Sequence, residues 1–132
     1  MDPLEIQGQP PSLVGKICEA LACLEFWHEG SLVEPANAIF IRANGGWHKL
    51  FFDSGVVFWK SDVEPQPSFD APEIASAYRL VDLGHKLDLV GRRIIACDAA
   101  PTEKGAKVAL ELDGGRSVVF ETADDVTSYV AA

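Results

Sequence analysis

The chain has 132 residues, of which 48% are hydrophobic and 23% charged, as expected for one globular domain with a buried core. Its net charge of −9 would repel nucleic acid phosphates and anionic membranes, so neither is expected as a partner. No apolar run is long enough to span a bilayer, and residues 1–10 lack a signal-peptide pattern, which predicts a cytoplasmic location.

The N-terminal third is predicted to be an extended arm followed by a strand and a loop. Residues 1–12 contain three prolines and little periodicity, which favours an arm. Residues 15–27 are rich in alanine and leucine and are compatible with helix or strand. Their similarity to the β-branched run at residues 92–97 favours strand. Residues 28–37 are predicted to form a loop.

The first hairpin is predicted around Asn44-Gly45-Gly46. A three-residue loop would pair Ile41 with Lys49 and Ile39 with Phe51. Both faces of this hairpin would then be largely apolar. A third strand, residues 56–60, follows the turn at residues 53–55 and would make the second strand central. We therefore expect a second layer or a partner chain to cover each face.

The middle of the chain, residues 65–88, reads as a connection between two halves. Three prolines, at positions 65, 67 and 72, break the β pattern. Residues 78–81 are predicted to form a short strand, and Asp82 to cap the turn that follows.

A second hairpin is predicted around Asp113-Gly114-Gly115. The same loop type pairs Leu110 with Val118 and Val108 with Phe120, which places these four side chains on a buried face. The opposite, solvated face is made of Lys107, Glu111, Ser117 and Glu121. At the C-terminus, Thr122 to Asp125 follow the pattern of a helix start, and apolar residues at 126, 129 and 130 have helical spacing. A short C-terminal helix is predicted.

Two stretches of the chain look like copies of one unit. Leu13-Val14-Gly15-Lys16 and Leu89-Val90-Gly91-Arg92 begin the copies 76 positions apart, and the two Gly-Gly turns are 69 apart. The predicted organisation is a single domain, 1–132, with a first β repeat at 13–64 and a second at 89–132. The fold class is mainly β with little helix: duplicated antiparallel hairpins forming a sandwich or a small barrel.

Cysteine and histidine spacings give no sign of a metal site, and no cofactor is expected. Cys18, Cys23 and Cys97 are odd in number and far apart, so they predict buried thiols instead of a disulfide framework. The three histidines show none of the short spacings that make local ligand pairs.

The candidate site residues are three tryptophans and three polar residues from the first half. Trp27, Trp47 and Trp59 would form a binding or dimer surface wherever they are exposed, because tryptophan is favoured at such anchors. His28, His48 and Asp53, together with Glu29, are the first candidates for an enzyme site assembled from distant residues.

The absence of catalytic motifs favours a non-catalytic binding protein. Its acidic charge suggests an inhibitor or immunity-type protein that masks a basic partner. A homodimer is the other expected partner. Two alternatives stay open: a small-molecule-binding β-barrel lined by the aromatic half, and an enzyme with a non-local histidine and carboxylate site.

Overall fold

The computed structural model describes residues 4–132 and contains eleven strands and one short helix. In chain order the strands are β1 (Ile6–Gln7), β2 (Ala20–His28), β3 (Ser31–Ala43), β4 (Gly46–Asp53), β5 (Val56–Ser61), β6 (Phe69–Ala71), β7 (Ser76–Asp82), β8 (Ile94–Pro101), β9 (Gly105–Leu112), β10 (Arg116–Ala123) and β11 (Val126–Ala131). Helix α1 (Leu83–Lys86) follows β7, and short 3₁₀ turns occupy Pro72–Ile74 and Asp113–Gly115. Asp82 caps α1, as predicted, by accepting a hydrogen bond from the His85 N–H at 3.1 Å.

The strands form two sheets that share one hydrophobic core. The larger sheet has the order β1-β5-β4-β3-β2-β7-β6, and the smaller has the order β11-β10-β9-β8. All neighbours are antiparallel except β1 and β5. The prediction of a mainly β, duplicated antiparallel fold is confirmed. The barrel alternative is wrong, because each sheet is open and ends in two edge strands.

Alternate residues of the central strands point into this core, as the period of a half-buried strand requires. Fully buried members from the larger sheet include Leu21, Ile39, Ile41, Leu50 and Val57, and members from the smaller sheet include Val108, Leu112, Val118 and Phe120.

The two repeats are joined to each other where they begin. The segment at residues 15–18 pairs with the segment at residues 91–94 around a bridge between Ile17 and Arg93. Four backbone hydrogen bonds of 2.8 Å close the pairing: Gly15 N–H to Ile94 O, Gly91 N–H to Cys18 O, Ile94 N–H to Lys16 O, and Cys18 N–H to Arg92 O. Residues 15–18 and 91–94 are equivalent positions, 76 apart, in the two repeats. Exchanging equivalent residues converts each of these bonds into another bond of the set, so the seam has an internal two-fold symmetry.

Two glycines shape this seam. Gly15 and Gly91 have φ of +88° and +86°, a conformation that side chains disfavour. Just before them, Leu13 and Leu89 are buried in the common core. The Leu-Val-Gly motif of the sequence is therefore a turn that buries its leucine and presents its backbone to the other repeat.

The second hairpin has the predicted register, and the first does not. Leu110 pairs with Val118, and Val108 with Phe120. In the first hairpin, however, Ala43 pairs with Gly46, so only Asn44 and Gly45 form the turn. Ile41 then lies opposite His48 and Ile39 opposite Leu50, one residue away from the predicted pairing. A shift of one residue exchanges the two faces of a strand.

The predicted loop at residues 28–37 is wrong, because most of it belongs to β3. The residues Glu29 and Gly30 form a tight turn with φ of 50° and 77°, and β2 and β3 continue as a long hairpin beyond the core. The extra length of the first repeat thus lengthens the β2–β3 hairpin. Strand β7 pairs with β2 along this hairpin and adds a third strand to it.

The predicted C-terminal helix is also wrong. Residues Val126–Ala131 form β11, which pairs with β10 along its whole length. The turn between the two strands consists of Asp124 and Asp125, with φ of 52° and 61°. Asparagine and aspartate tolerate this left-handed region better than most residues, which makes a tight hairpin turn without glycine possible.

Other parts of the chain pack on both faces of the larger sheet. The smaller sheet covers one face, and residues 62–68 cross the other, from β5 at one side to β6 at the opposite side. Val63 in this crossing segment packs against a second cluster formed by Leu24, Ala38 and Phe40. The Leu80 N–H donates to Ser68 Oγ at 2.8 Å and anchors the far end of the segment. The expected second layer is therefore complete on the core side and partial on the outer side, where Phe51 and Phe58 stay half-buried.

Replacing Asp125 with glycine should stabilise the protein. A left-handed conformation costs an L-residue about 1 to 2 kcal/mol, and glycine removes this strain. Glycine also makes the unfolded chain more flexible, and the entropy lost on folding offsets roughly half of the stabilisation. We expect the free energy of unfolding, measured in urea, to rise by about 0.5 kcal/mol or more. Asp98→Gly, which removes the same charge from extended strand β8, serves as the control and should lower it. A loss of stability in both variants would contradict the tight-turn assignment.

Candidate functional site

The structure does not bring the predicted site residues together. Trp27 and His28 lie at the end of β2, near the tip of its long hairpin. Trp47 lies opposite Arg42, which is paired with Ala20 at the other end of β2. Seven residues of strand therefore separate the two tryptophans along the sheet, or about 23 Å.

The three tryptophans have different environments. Trp59 is buried in the core with 5% of its surface exposed, so it has a structural role. Trp47 is half-buried beside the crossing segment. Trp27 is half-buried, its Nε1 donates to Glu25 Oε1 at 3.0 Å, and it borders a depression of about 320 Å³ that also includes Gly30 and Arg79. No common tryptophan surface follows from these positions.

The polar candidates are equally scattered. His28 is exposed, with its Nδ1 3.1 Å from Ser76 Oγ, whereas half-buried His48 has its Nδ1 3.5 Å from Ser61 Oγ. Asp53 is exposed at the end of β4 and accepts a hydrogen bond from Ser54 Oγ at 3.3 Å. Within residues 4–132, no three His, Cys, Asp or Glu side chains are grouped so that they could hold a metal ion.

The cysteines are free thiols with suppressed ionisation. Burial raises the pKa of Cys18 and Cys97 to about 11 and that of Cys23 to about 12, and a neighbouring carboxylate adds to each shift. A thiol with a raised pKa is protonated at neutral pH and is a poor nucleophile. None of the three has the environment of a catalytic cysteine.

An open groove of about 700 Å³ lies at one end of the two sheets. Three turns surround it: the β4–β5 turn at Ser54-Gly55, the β8–β9 turn at residues 102–104, and the β10–β11 turn at Asp124-Asp125. The first and third occupy equivalent positions in the two repeats, 70 residues apart. The sheets come close here, since a Cβ on Gly55 would lie 4.0 Å from Gly105 Cα. We call this cavity the acidic groove.

Carboxylates dominate the charged lining of the acidic groove. Glu5, Glu103, Asp124 and Asp125 line it, whereas Lys104 is the one basic residue that residues 4–132 contribute to it. Lys104 Nζ is 3.7 Å from Asp124 Oδ2, so its charge is already shared with a groove carboxylate. Both of these side chains are mostly exposed, which leaves the groove accessible to a partner's cation.

Sequence reasoning missed this groove because it assigned Asp124 and Asp125 to a helix start. The repeat contains a signal that could have located it. Adding 70 to the residue numbers of β4 and β5 gives those of β10 and β11. The β4–β5 turn at Ser54-Gly55 then corresponds to Asp124-Asp125.

No family model, no curated protein and no solved structure matches this chain. Among residues 4–132, the structure contains no helix with the length and apolar character needed to cross a bilayer.

The thiols should react slowly in the folded protein. A raised pKa keeps each one protonated at pH 8, well below the pKa of about 11 or 12. We expect labelling by a thiol-specific reagent to be at least ~100-fold slower in buffer than in denaturant, because the thiolate is the reacting form. Cys97, which is less buried than Cys18 and Cys23, serves as an internal comparison. Rapid labelling of any one of them in the folded state would contradict these pKa shifts.

Proposed function

We propose that this protein is a non-catalytic binding protein whose acidic groove receives a cationic segment of a partner protein. The observation that carries the proposal is the convergence of Glu5, Glu103, Asp124 and Asp125 around one open cavity. Two separate turns and the N-terminal arm contribute these residues, so the fold assembles the charge from distant parts of the chain.

The charge of the whole molecule supports the same partner chemistry. Twenty acidic residues against eleven basic ones give a field that attracts cations from a distance. Complementary charge accelerates association and selects partners, while contacts inside the cavity determine how long the complex lasts. A lysine- or arginine-rich loop of a toxin or enzyme has the chemistry to enter this groove.

In the cell, such a protein would act as an inhibitor or immunity-type protein. A protein of this kind acts by covering a basic surface that its partner needs for its own substrate. The four carboxylates supply the charge, and the turns around the groove provide a rigid rim because the sheets fix both of their ends. A cytoplasmic location and a homodimer remain predictions from the sequence.

The two alternatives have less support. A small-molecule-binding barrel needs an enclosed apolar cavity, whereas both sheets are open and the shared core is filled with side chains. A non-local enzyme site needs His28, His48 and Asp53 to converge, and these residues lie on different parts of the sheet.

Neutralising the groove should weaken the binding of a basic probe. In the triple variant Glu103→Gln, Asp124→Asn and Asp125→Asn, asparagine keeps the left-handed turn while the negative charges are lost. We expect the Kd for a short lysine-rich peptide, measured by calorimetry at roughly 0.15 M ionic strength, to rise at least ~10-fold, equivalent to about 1.4 kcal/mol.

The control removes the same number of charges from the outer face of the smaller sheet. Asp98→Asn, Glu111→Gln and Glu121→Gln are exposed there, and each lies at least three residues along its strand, or about 10 Å, from the turns of the groove. This control should change the Kd less than about twofold, because distant surface charges are screened by salt. Equal weakening in both triple variants would show that net charge, and not the groove, binds the probe.

A further inference from the structure

A second charged surface lies on the outer face of the larger sheet, opposite the core. Lys49 and Lys60 are direct cross-strand partners on β4 and β5, and Phe51 and Phe58 form the next pair on the same face. The two phenylalanine rings are stacked, with centroids 4.8 Å apart and planes inclined by 4°. We call these four residues the lysine face.

Both ammonium groups lie over one aromatic ring. Lys49 Nζ is 5.2 Å and Lys60 Nζ 5.6 Å from the centroid of Phe51, within the range of cation–π attraction. Lys49 Nζ is also 5.9 Å from the ring of Phe40. The rings therefore hold two positive charges in adjacent positions.

This arrangement is unfavourable in the isolated chain. Like charges directly opposite each other destabilise a strand pair. Partial burial lowers the pKa of Lys49, and the charge of Lys60 contributes to the same shift. A nearby anion would relieve both costs.

The chain provides carboxylate partners for several other basic residues. Arg42 pairs with Glu19, Arg79 with Asp70, and both Arg92 and Arg116 pair with Asp88. Within residues 4–132, neither Lys49 nor Lys60 forms an ion pair, although acids outnumber bases in the sequence by 20 to 11.

We propose that the lysine face binds a short carboxylate-rich segment of a partner protein, with an apolar side chain of that segment packed on Phe51 and Phe58. The two ammonium groups would receive the carboxylates, and the half-buried aromatic rings beside them would receive the apolar side chain.

The net charge of the chain favours a short acidic segment over a nucleic acid strand. A long polyphosphate would extend beyond the lysine face and meet the field of a chain with a charge of −9. A short segment avoids the more distant part of that field, because salt screens charges beyond roughly 8 Å; the nearest acid along the chain is Asp62, two residues after Lys60.

The lysine face is independent of the acidic groove. Lys49 lies five residues from Ser54 along β4, or about 17 Å, and points to the opposite side of the sheet from the core. The two surfaces share no residue, so variants of one can be tested while the other is intact.

The test uses Lys49→Gln with Lys60→Gln, which removes both charges and keeps most of each side-chain stem. Arg93→Gln with Lys107→Gln is the control, since it changes the net charge equally at exposed positions elsewhere. The probes are a short glutamate peptide containing one phenylalanine and, separately, a single-stranded oligothymidylate. Binding is followed by calorimetry and by backbone NMR shifts of the full chain.

The proposal predicts that the peptide shifts the resonances of β4 and β5 around the lysine face. The Kd for the peptide should rise at least ~10-fold in the lysine variant and less than about twofold in the control. The melting temperature of the lysine variant should change little, because the repulsion between the lysines and their attraction to Phe51 are lost together.

Three outcomes would overturn the proposal: no shifts with the peptide, equal peptide affinity in the lysine variant and the wild type, or tighter binding of oligothymidylate than of the peptide at these residues. The last result would assign the face to nucleic acid.

Discussion

The seam between residues 15–18 and 91–94 is the constraint on which the rest of this structure depends. Here the backbone of each repeat hydrogen-bonds to the backbone of the other, and the four bonds are exchanged by a shift of 76 positions. Positive φ at Gly15 and Gly91 turns the chain into the seam after the buried residues Leu13 and Leu89. Because each repeat then continues as a meander of adjacent strands, fixing the two starts fixes which faces meet in the core.

The two hairpins show how far turn chemistry can be read from sequence. Both contain an Asx-Gly-Gly run, and one three-residue loop was predicted for each. That reading is confirmed at Gly115, which lies in the turn, but Gly46 is already the first residue of β4. The choice between two and three turn residues depends on which faces of the strands must be buried. It has functional consequences, since it places Lys49 on the outer face and His48 on the side of the core.

The acidic groove was less accessible to sequence reasoning than the fold. Local composition at Asp124-Asp125 indicates a helix start, whereas the repeat indicates a turn between strands equivalent to β4 and β5. Tertiary pairing with β10 determines the outcome, because residues 126–131 complete a sheet. Even a correct set of strands would not have shown that Glu5 and Glu103 join the two aspartates, since that convergence depends on how the two sheets pack. The sequence did indicate the sign of the charge, and the packing concentrates it at one end of the molecule.

The proposed binding surfaces both lie near the β4–β5 hairpin, the acidic groove at its turn and the lysine face on its outer face. The groove also contains turns of the smaller sheet, so its shape depends on a fixed position of one sheet relative to the other. Native-state hydrogen exchange of the Gly15, Cys18, Gly91 and Ile94 amides tests that relation most directly. If the seam joins the repeats into one cooperative unit, these four amides should exchange with the same opening free energy, equal to that of global unfolding. Exchange of the seam amides at a much lower free energy, while the central strands of both sheets stay protected, would contradict this account.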